Sequence, residues 1–220
     1  MSVTQQTRSD EHQLFFDVIR QRRSVRSYDP EFKISQQELS EILGFATLAP
    51  SWSNLQPWRF LVIDKPELKQ KIPSIANNQQ QVIEASAVIA VLADLKCYER
   101  LEEIYGQAVK AGYMPADTSK SFVERFSDIM PNLPSDVLHQ IVNVDSGLAA
   151  MQLMLVARAK GYDTVPMGGY DKAKFMESFN IPDRYLSVML IAIGKAVKPG
   201  HPTTRLPIDN VTYFNEIPQS

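Results

Sequence analysis

Ala49-Pro50-Ser51-Trp52-Ser53-Asn54-Leu55-Gln56-Pro57-Trp58 is the stretch on which the fold of this chain turns. Upstream, Leu39, Ile42, Leu43 and Ala46 recur at helical spacing behind Ser35-Gln36-Gln37-Glu38, which has the form of a capping box, and Pro50 stops that helix. Downstream, Arg59 to Ile63 reads as a strand, so the decapeptide is a helix-to-strand connection. Ser51, Ser53, Asn54 and Gln56 set hydroxyls and amides among prolines and tryptophans, where a flat polar heterocycle could lie. An ordinary connection with both tryptophans packed in the core accounts for the same residues equally well.

Working outward, Lys65-Pro66-Glu67 opens a short helix with proline in its first turn, and Ala87 to Ala93 (AVIAVLA) is a continuous apolar strand of the kind covered on both faces. Toward the N-terminus, Leu14, Phe15, Val18 and Ile19 keep helical spacing, with Asp10 as N-cap, and the helix fades near Arg22. Ser135 to Lys160 is the longest helical pattern; Ile141, Val144, Leu148, Met151, Leu155 and Ala159 are in register, and Gly161 is placed at C′. Val165-Pro166-Met167-Gly168-Gly169, a helix from Asp171 to about Phe179 and a strand from Ser187 to Gly194 follow. Asp94 to Met130 is the most polar part, with helical stretches broken near Gly112 and Pro115; residues 95–133 read as a helical excursion over a site. The tail, 195–220, holds Val197, Leu206, Ile208, Val211, Phe214 and Ile217 among prolines and polar groups. It is too apolar to be left loose and too irregular to fold alone, so it is expected to pack on another surface, such as a partner subunit. Few strands and long helices in alternation give one α+β layered domain over 1–220.

The 220 residues are 44% hydrophobic and 22% charged, ordinary for a soluble globular protein. A net charge of −2 offers no broad field for nucleic acid or an anionic membrane. The single Cys97 rules out an intrachain disulfide and suits a reducing cytoplasm; Met1 to Glu11 has no apolar signal core. The longest apolar runs, around Ala85–Ala93 and Val188–Ile193, are too short to span a bilayer. The expected protein is cytoplasmic, without nucleic-acid or membrane partners.

Several chemistries have no residues to perform them. No Gly-x-Gly-x-x-Gly follows a strand, there is no P-loop, and there is no Gly-x-Ser-x-Gly elbow. His12, His139 and His201 show no metal spacing, so neither a metal nor a catalytic acid or base is assigned, and any redox or transfer chemistry would belong to a bound cofactor. Arg22, Arg23, Ser24 and Arg26 concentrate guanidiniums and a hydroxyl suited to a phosphate, although cations at a helix carboxyl end are often simply solvated. Gly168-Gly169 permits close backbone approach to a ligand or is only a turn. Asn77 to Gln81 could supply amides or be a solvated loop, and Arg205 is a second phosphate contact or a surface charge.

Taken in order, these segments resemble the flavin-dependent nitroreductase family: Arg22-Arg23-Ser24-Val25-Arg26-Ser27-Tyr28, Ala49 to Trp58, Asn78 to Gln81 before Ala85-Ser86-Ala87-Val88, Val165 to Gly169, Ile193-Gly194-Lys195 and Arg205-Leu206-Pro207. The resemblance implies a nitroreductase-like α+β fold, an antiparallel-rich central sheet flanked by helices, in an intertwined homodimer with a C-terminal arm. It implies FMN at the dimer interface. Arg22, Arg23, Ser24 and Arg26 would take its phosphate and ribityl chain, with Arg205 assisting. Pro50, Ser51, Trp52, Ser53, Asn54 and Gln56 would come from the other subunit. Asn78 and Gln81 would reach the ring's polar edge, and Pro166, Met167, Gly168 and Gly169 would run against the isoalloxazine, with a backbone N–H near N5. Two departures stand out: Gln81 falls where many relatives have a lysine, and Gly168 where many have an acidic residue. The implied activity is FMN-dependent NAD(P)H oxidation with ping-pong hydride transfer through flavin N5 to nitroaromatics, quinones or similar small acceptors. The alternatives are another reaction of the same fold, such as dehydrogenation or dehalogenation, and flavin binding without turnover.

Overall fold

The apolar run at Ala87 becomes the second strand of a four-stranded antiparallel sheet in the computed structural model, which describes residues 13–217. In order across the sheet these are β1 (Trp58–Ile63), β2 (Ala87–Asp94), β4 (Tyr185–Gly194) and β3 (Asp163–Met167), every neighbouring pair antiparallel. All of β2 is buried because both faces are covered. Val88, Ala90 and Leu92 meet one layer, in which Ile72, Val82 and Phe175 come from the segment around α3 (Pro66–Lys69) and α4 (Gln81–Glu84) and from α8 (Lys172–Ser178). Ala87, Ile89 and Val91 meet the other, supplied by Leu39, Ile42 and Ala46 of α2 (Gln36–Ala46) and by Leu153 and Ala157 of α7 (Ser135–Ala159). Alternation along the strand thus sends successive apolar side chains into two cores.

Local signals place the element ends. The Ser35 hydroxyl accepts the Glu38 N–H at 3.1 Å, the expected cap of α2. At the end of α7, Gly161 takes φ +81°; its N–H donates to the Arg158 carbonyl at 3.0 Å and that of Tyr162 to the Ala157 carbonyl at 2.9 Å, a Schellman closure. The helix over 13–21 (α1) ends just before Arg22; Asp10, expected to cap it, lies outside the described residues.

The excursion forms α5 (Leu101–Lys110) and α6 (Ala116–Ile129), which build a third cluster: Leu101, Tyr105, Phe126 and Met130 close on Leu55, Ala93 and Val142. Tyr105, Phe122 and Phe126 therefore pack, with Phe122 stacked on Phe126 at 5.8 Å and tilted on Tyr105 at 5.5 Å, whereas Tyr113 stays exposed.

Two apolar surfaces stay open. On α7, the buried face mixes Asp145, Ser146, Ala149, Ala150 and Ala157 with the larger Val142, Leu153 and Met154, whereas Val144, Leu148 and Met151, which dominate the sequence pattern, point outward. Among the described residues α7 is the one helix long and apolar enough to cross a membrane, and its inner face is packed on the sheet. The tail is the second: Leu206, Ile208, Val211, Phe214 and Ile217 are each more than half exposed, so no surface of their own chain receives them, and residues 218–220 lie outside the described part.

Candidate functional site

The segment 22–28 leaves α1 and lies along the end of the sheet. Ser24 bridges Thr164 at the start of β3, the Val25 N–H donates to the Thr164 carbonyl at 3.1 Å, and Tyr28 bridges Ala196 just beyond β4. Tyr28 is the buried anchor: its hydroxyl donates to the Ala192 carbonyl at 3.3 Å, and its ring lies so close to Gly194 that a Cβ there would come within 2.9 Å. Its N–H donates to the Glu84 carboxylate at 3.2 Å. Fixing Val25 and Tyr28 leaves Arg22, Ser24 and Arg26 on the outer side of the segment. Arg23 is different: its guanidinium turns back onto the Arg20 and Arg22 carbonyls, closing the end of α1.

The tail then crosses this segment. A Cβ on Gly200 would lie 2.6 Å from Arg23 Cβ and 2.9 Å from the Ser24 carbonyl oxygen, so only glycine admits the crossing. The crossing carries Arg205 toward Arg22, whose guanidinium pKa is lowered first by burial and then by the neighbouring Arg205 and Arg23. Among the described residues, none of Arg22, Arg23, Arg26 and Arg205 is in a salt bridge with a carboxylate. Like charges held together without a counter-ion are chemically suited to an anion.

From Thr164, β3 leads directly to Pro166, Met167, Gly168 and Gly169. Gln81, the first residue of α4, is buried there; its amide donates toward Met167 Sδ at 3.6 Å and to Gln79. Asn77 donates to the Gly169 carbonyl at 2.8 Å, and Asn78, exposed at φ +54°, sits beside it in the loop. α4 thus joins the two parts of this group: Gln81 at one end meets β3, and Glu84 at the other holds Tyr28. Lys69, buried, donates to the Ile83 carbonyl at 3.0 Å and to the Ala85 carbonyl, pinning the end of that short helix.

Residues 50–56 form a second group elsewhere. Trp52–Asn54 is a 3-10 turn in which Ser53, Asn54 and then Gln56 all take left-handed φ (+47°, +53°, +49°). Its ties come from side chains. Asp145 of α7 accepts the Trp52 N–H at 3.1 Å, Ser51 Oγ accepts the Gln56 N–H at 3.0 Å, and the Tyr105 hydroxyl of α5 donates to the Ser53 carbonyl at 2.8 Å. The Arg59 guanidinium donates to the Gln56 carbonyl at 2.9 Å and to the buried Asp94. Trp52 is not a core residue; it sets its ring edge-on to Phe126 at 5.8 Å, while Trp58 is buried as β1 begins.

The two groups stand at opposite edges and ends of the sheet. Thr164 pairs with Ile193, which pairs with Ala87; Trp58 pairs with Ala93. That is roughly 20 Å along the strands and about 14 Å across them. Between α1 and Pro50 lies an open apolar groove of about 740 Å³ along the outer faces of α1 and α7, lined by Leu14, Val18, Pro50, Leu148, Met151 and Leu155. α1 runs from that groove into Arg22, and Pro50 leads from it into the turn. Glu84, Asp145 and Gly200 carry no signal in the sequence, and Tyr105 reads there only as one aromatic of the excursion; each acts through a contact at least 50 positions away, and only the contact reveals it.

Residues 19–195 match the model of the nitroreductase family. The chain is 50% identical over 199 residues to YdgI of Bacillus subtilis, provisionally named an NAD(P)H nitroreductase, covering 90% of this chain and 95% of that protein. It is 35% identical over 201 residues to the CLA biosynthesis enone reductase of Lactiplantibacillus plantarum, covering 90% and 93%. The crystal structure of a provisionally named nitroreductase from Exiguobacterium sibiricum, in complex with FMN, superposes with a TM-score of 0.88 at 48% identity, covering 91% of this chain and 97% of that one.

Proposed function

Since the chain belongs to the nitroreductase family, we propose that it is an FMN-dependent NAD(P)H oxidoreductase, built as a homodimer, that reduces nitroaromatics, quinones or similar small acceptors. The observation that carries the reading is the bridging of the arginine–serine segment, through Ser24 and Val25, to Thr164 of the strand that runs on to Gly168, Gly169 and the buried amide of Gln81. This donor set fits FMN. Guanidiniums and the Ser24 hydroxyl suit an ionised phosphate. Gln81 suits the polar edge of a flavin ring, and nothing lies within 4 Å of where a Cβ of Gly168 or Gly169 would be, so a flat ring has room against that backbone. When bound, FMN would supply the redox chemistry, taking two electrons from NAD(P)H and delivering them to the acceptor.

The chain's own residues bind and orient. Arg22, Arg26 and Arg205 neutralise the phosphate; Arg23 contributes through the end of α1. Asn78 and Gln81 fix the ring edge by neutral hydrogen bonds, Gln81 adding no charge there. Pro166 to Gly169 set the ring's depth. Pro50, Ser51, Trp52, Ser53, Asn54 and Gln56 of a second copy would close the site, because a copy seated on the α1–α7 groove covers Pro50 and the approach to Arg22 together. The exposed tail is then an arm over the partner, and the excursion of 95–133 borders the same site through Tyr105. A cytoplasmic setting belongs to the same reading: burial pushes the Cys97 thiol up to about 12, which leaves it unreactive. The identity with an enone reductase supports a second acceptor class, conjugated enones.

Freshly purified protein is expected to be yellow and to bleach anaerobically on adding NADH or NADPH; colourless protein that takes up no FMN sinks the reading. The shared site is tested by co-expressing Arg22→Ala/Arg26→Ala subunits with Ser51→Ala/Asn54→Ala subunits. Random pairing leaves one intact site in each mixed dimer, so about a quarter of wild-type activity returns. No recovery would mean that each site is built within one chain.

A further inference from the structure

Asp145 is a buried carboxylate that the packing of α7 does not require. It is 5% exposed, and among the described residues no cation pairs with it. Around it the inner face of α7 is mostly apolar, with Val142, Ala149, Ala150, Leu153, Met154 and Ala157, and an apolar residue would pack there without the cost of dehydrating a charge. What the carboxylate does hold is the Trp52 N–H, 93 positions away in sequence, at 3.1 Å. Burial pushes the Asp145 pKa up, and that N–H draws it partly back.

The turn it holds needs an outside tie. Ser51 stands at the N-cap position of Trp52–Asn54 yet makes no capping bond, because its hydroxyl is engaged by the Gln56 N–H. Ser53, Asn54 and Gln56, none of them glycine, take left-handed φ on either side of a right-handed Leu55, a combination that persists only where surrounding contacts impose it. Asp145 fixes the entry to that stretch and the Tyr105 hydroxyl its first carbonyl.

We propose that Asp145 is a positioning residue of the cofactor site: through the Trp52 N–H it holds residues 51–56 in the conformation that meets the flavin ring. The inference rests on the reading that this turn faces FMN. It makes a distinction that a general packing role does not, since a tie acting on the ring side should affect ring binding and leave phosphate binding alone.

The test measures dissociation constants of FMN and of riboflavin, which lacks the phosphate, for the apoprotein. Asp145→Ala is expected to weaken both by the same factor, about tenfold or more. Asp145→Asn keeps an oxygen acceptor for the Trp52 N–H and should stay within about threefold of wild type. Ser146→Ala, a neighbour on the same face whose buried hydroxyl has no partner, should change neither. If Asp145→Ala does not fold, Asp145→Ser, too short to reach Trp52, is read in its place. Unchanged binding in Asp145→Ala, a loss confined to FMN, an Asp145→Asn as weak as the alanine variant, or an equal loss in Ser146→Ala would each overturn the proposal. Wild-type protein that binds neither flavin would overturn the reading beneath it instead.

Discussion

Residues 22–28 are tied to the sheet by main-chain bonds: Ser24 to Thr164 on one side, Tyr28 to Ala196 on the other. Residues 51–56 are tied by side chains, from Asp145, Tyr105, Ser51 and Arg59. The first arrangement rests on main-chain bridges as well as on the buried Tyr28 and its Glu84 partner, so loss of one side chain leaves other ties in place. The second depends on individual oxygen and nitrogen atoms, each of which a single substitution removes. The group suited to a phosphate is thus the rigid half, and the group suited to a ring is the adjustable half, next to the excursion of α5 and α6. A protein that grips one cofactor while admitting varied acceptors is served by that division.

The largest effect should come from separating the halves. Leu148→Glu with Met151→Glu places two charges in the α1–α7 groove, where a second copy would have to bury them, at several kcal/mol each. The expected result is a monomer by light scattering that retains its circular dichroism but not its yellow colour. A coloured monomer would show that both halves of the site belong to one chain.

Next in size is the rigid half. Arg22→Ala with Arg26→Ala should cost FMN roughly 1.5–3 kcal/mol per charge-assisted bond, a loss of about a hundredfold or more together, with riboflavin binding unchanged. Equal losses for FMN and riboflavin would place the arginines at the ring and erase the contrast. Gly200→Ala should act in the same direction more weakly, about tenfold on FMN, because a methyl 2.6 Å from Arg23 Cβ lifts the tail and moves Arg205 away from Arg22.

The contrast also explains what could be read from the sequence. The strands at Arg59, Ala87 and Ser187, the cap at Ser35, the proline opening α3 and Gly161 closing α7 are local signals, and the structure has all of them, while Asp163–Met167, which reads only as a short segment, is a fourth strand. The arginine–serine segment was legible because its residue types alone suggest an anion. The left-handed run at Ser53, Asn54 and Gln56 was not, since no glycine marks it and the groups that impose it lie on α5 and α7. The orientation of α7 was hidden for another reason. Its inner face mixes alanines and polar residues with Val142, Leu153 and Met154, so the apolar pattern does not single out the buried side, and Val144, Leu148 and Met151 are left exposed. For Arg205 the local residues left two readings open, a phosphate contact or a surface charge; beyond the crossing at Gly200, its charge helps to lower the Arg22 pKa.

On the adjustable half, Tyr105→Phe removes one neutral hydrogen bond to the Ser53 carbonyl, worth about 0.5–1.5 kcal/mol. It should weaken FMN and riboflavin equally by a few-fold, and it should shift KM for the acceptor more than for NAD(P)H, because Tyr105 belongs to the excursion. An effect on FMN alone would put the tie on the wrong half.

The smallest effect is one of pH on stability, and it too separates the halves. The Asp145 carboxyl has its pKa raised from an ordinary 3.8 by burial, so the folded state favours the neutral form. Above the raised pKa the carboxylate opposes folding; as pH falls through that value toward 3.8 the opposition fades. Asp145→Asn, neutral throughout, should therefore be at least as stable as wild type near pH 7, with its advantage shrinking as the solution is acidified. The carboxylates common to both proteins cancel in the difference. Thermal melts of the two across that range measure it directly. An advantage that grows in acid would mean that the carboxylate is stabilised where it lies, by more than the one N–H of Trp52, and the turn would then be as firmly founded as the arginine segment opposite it.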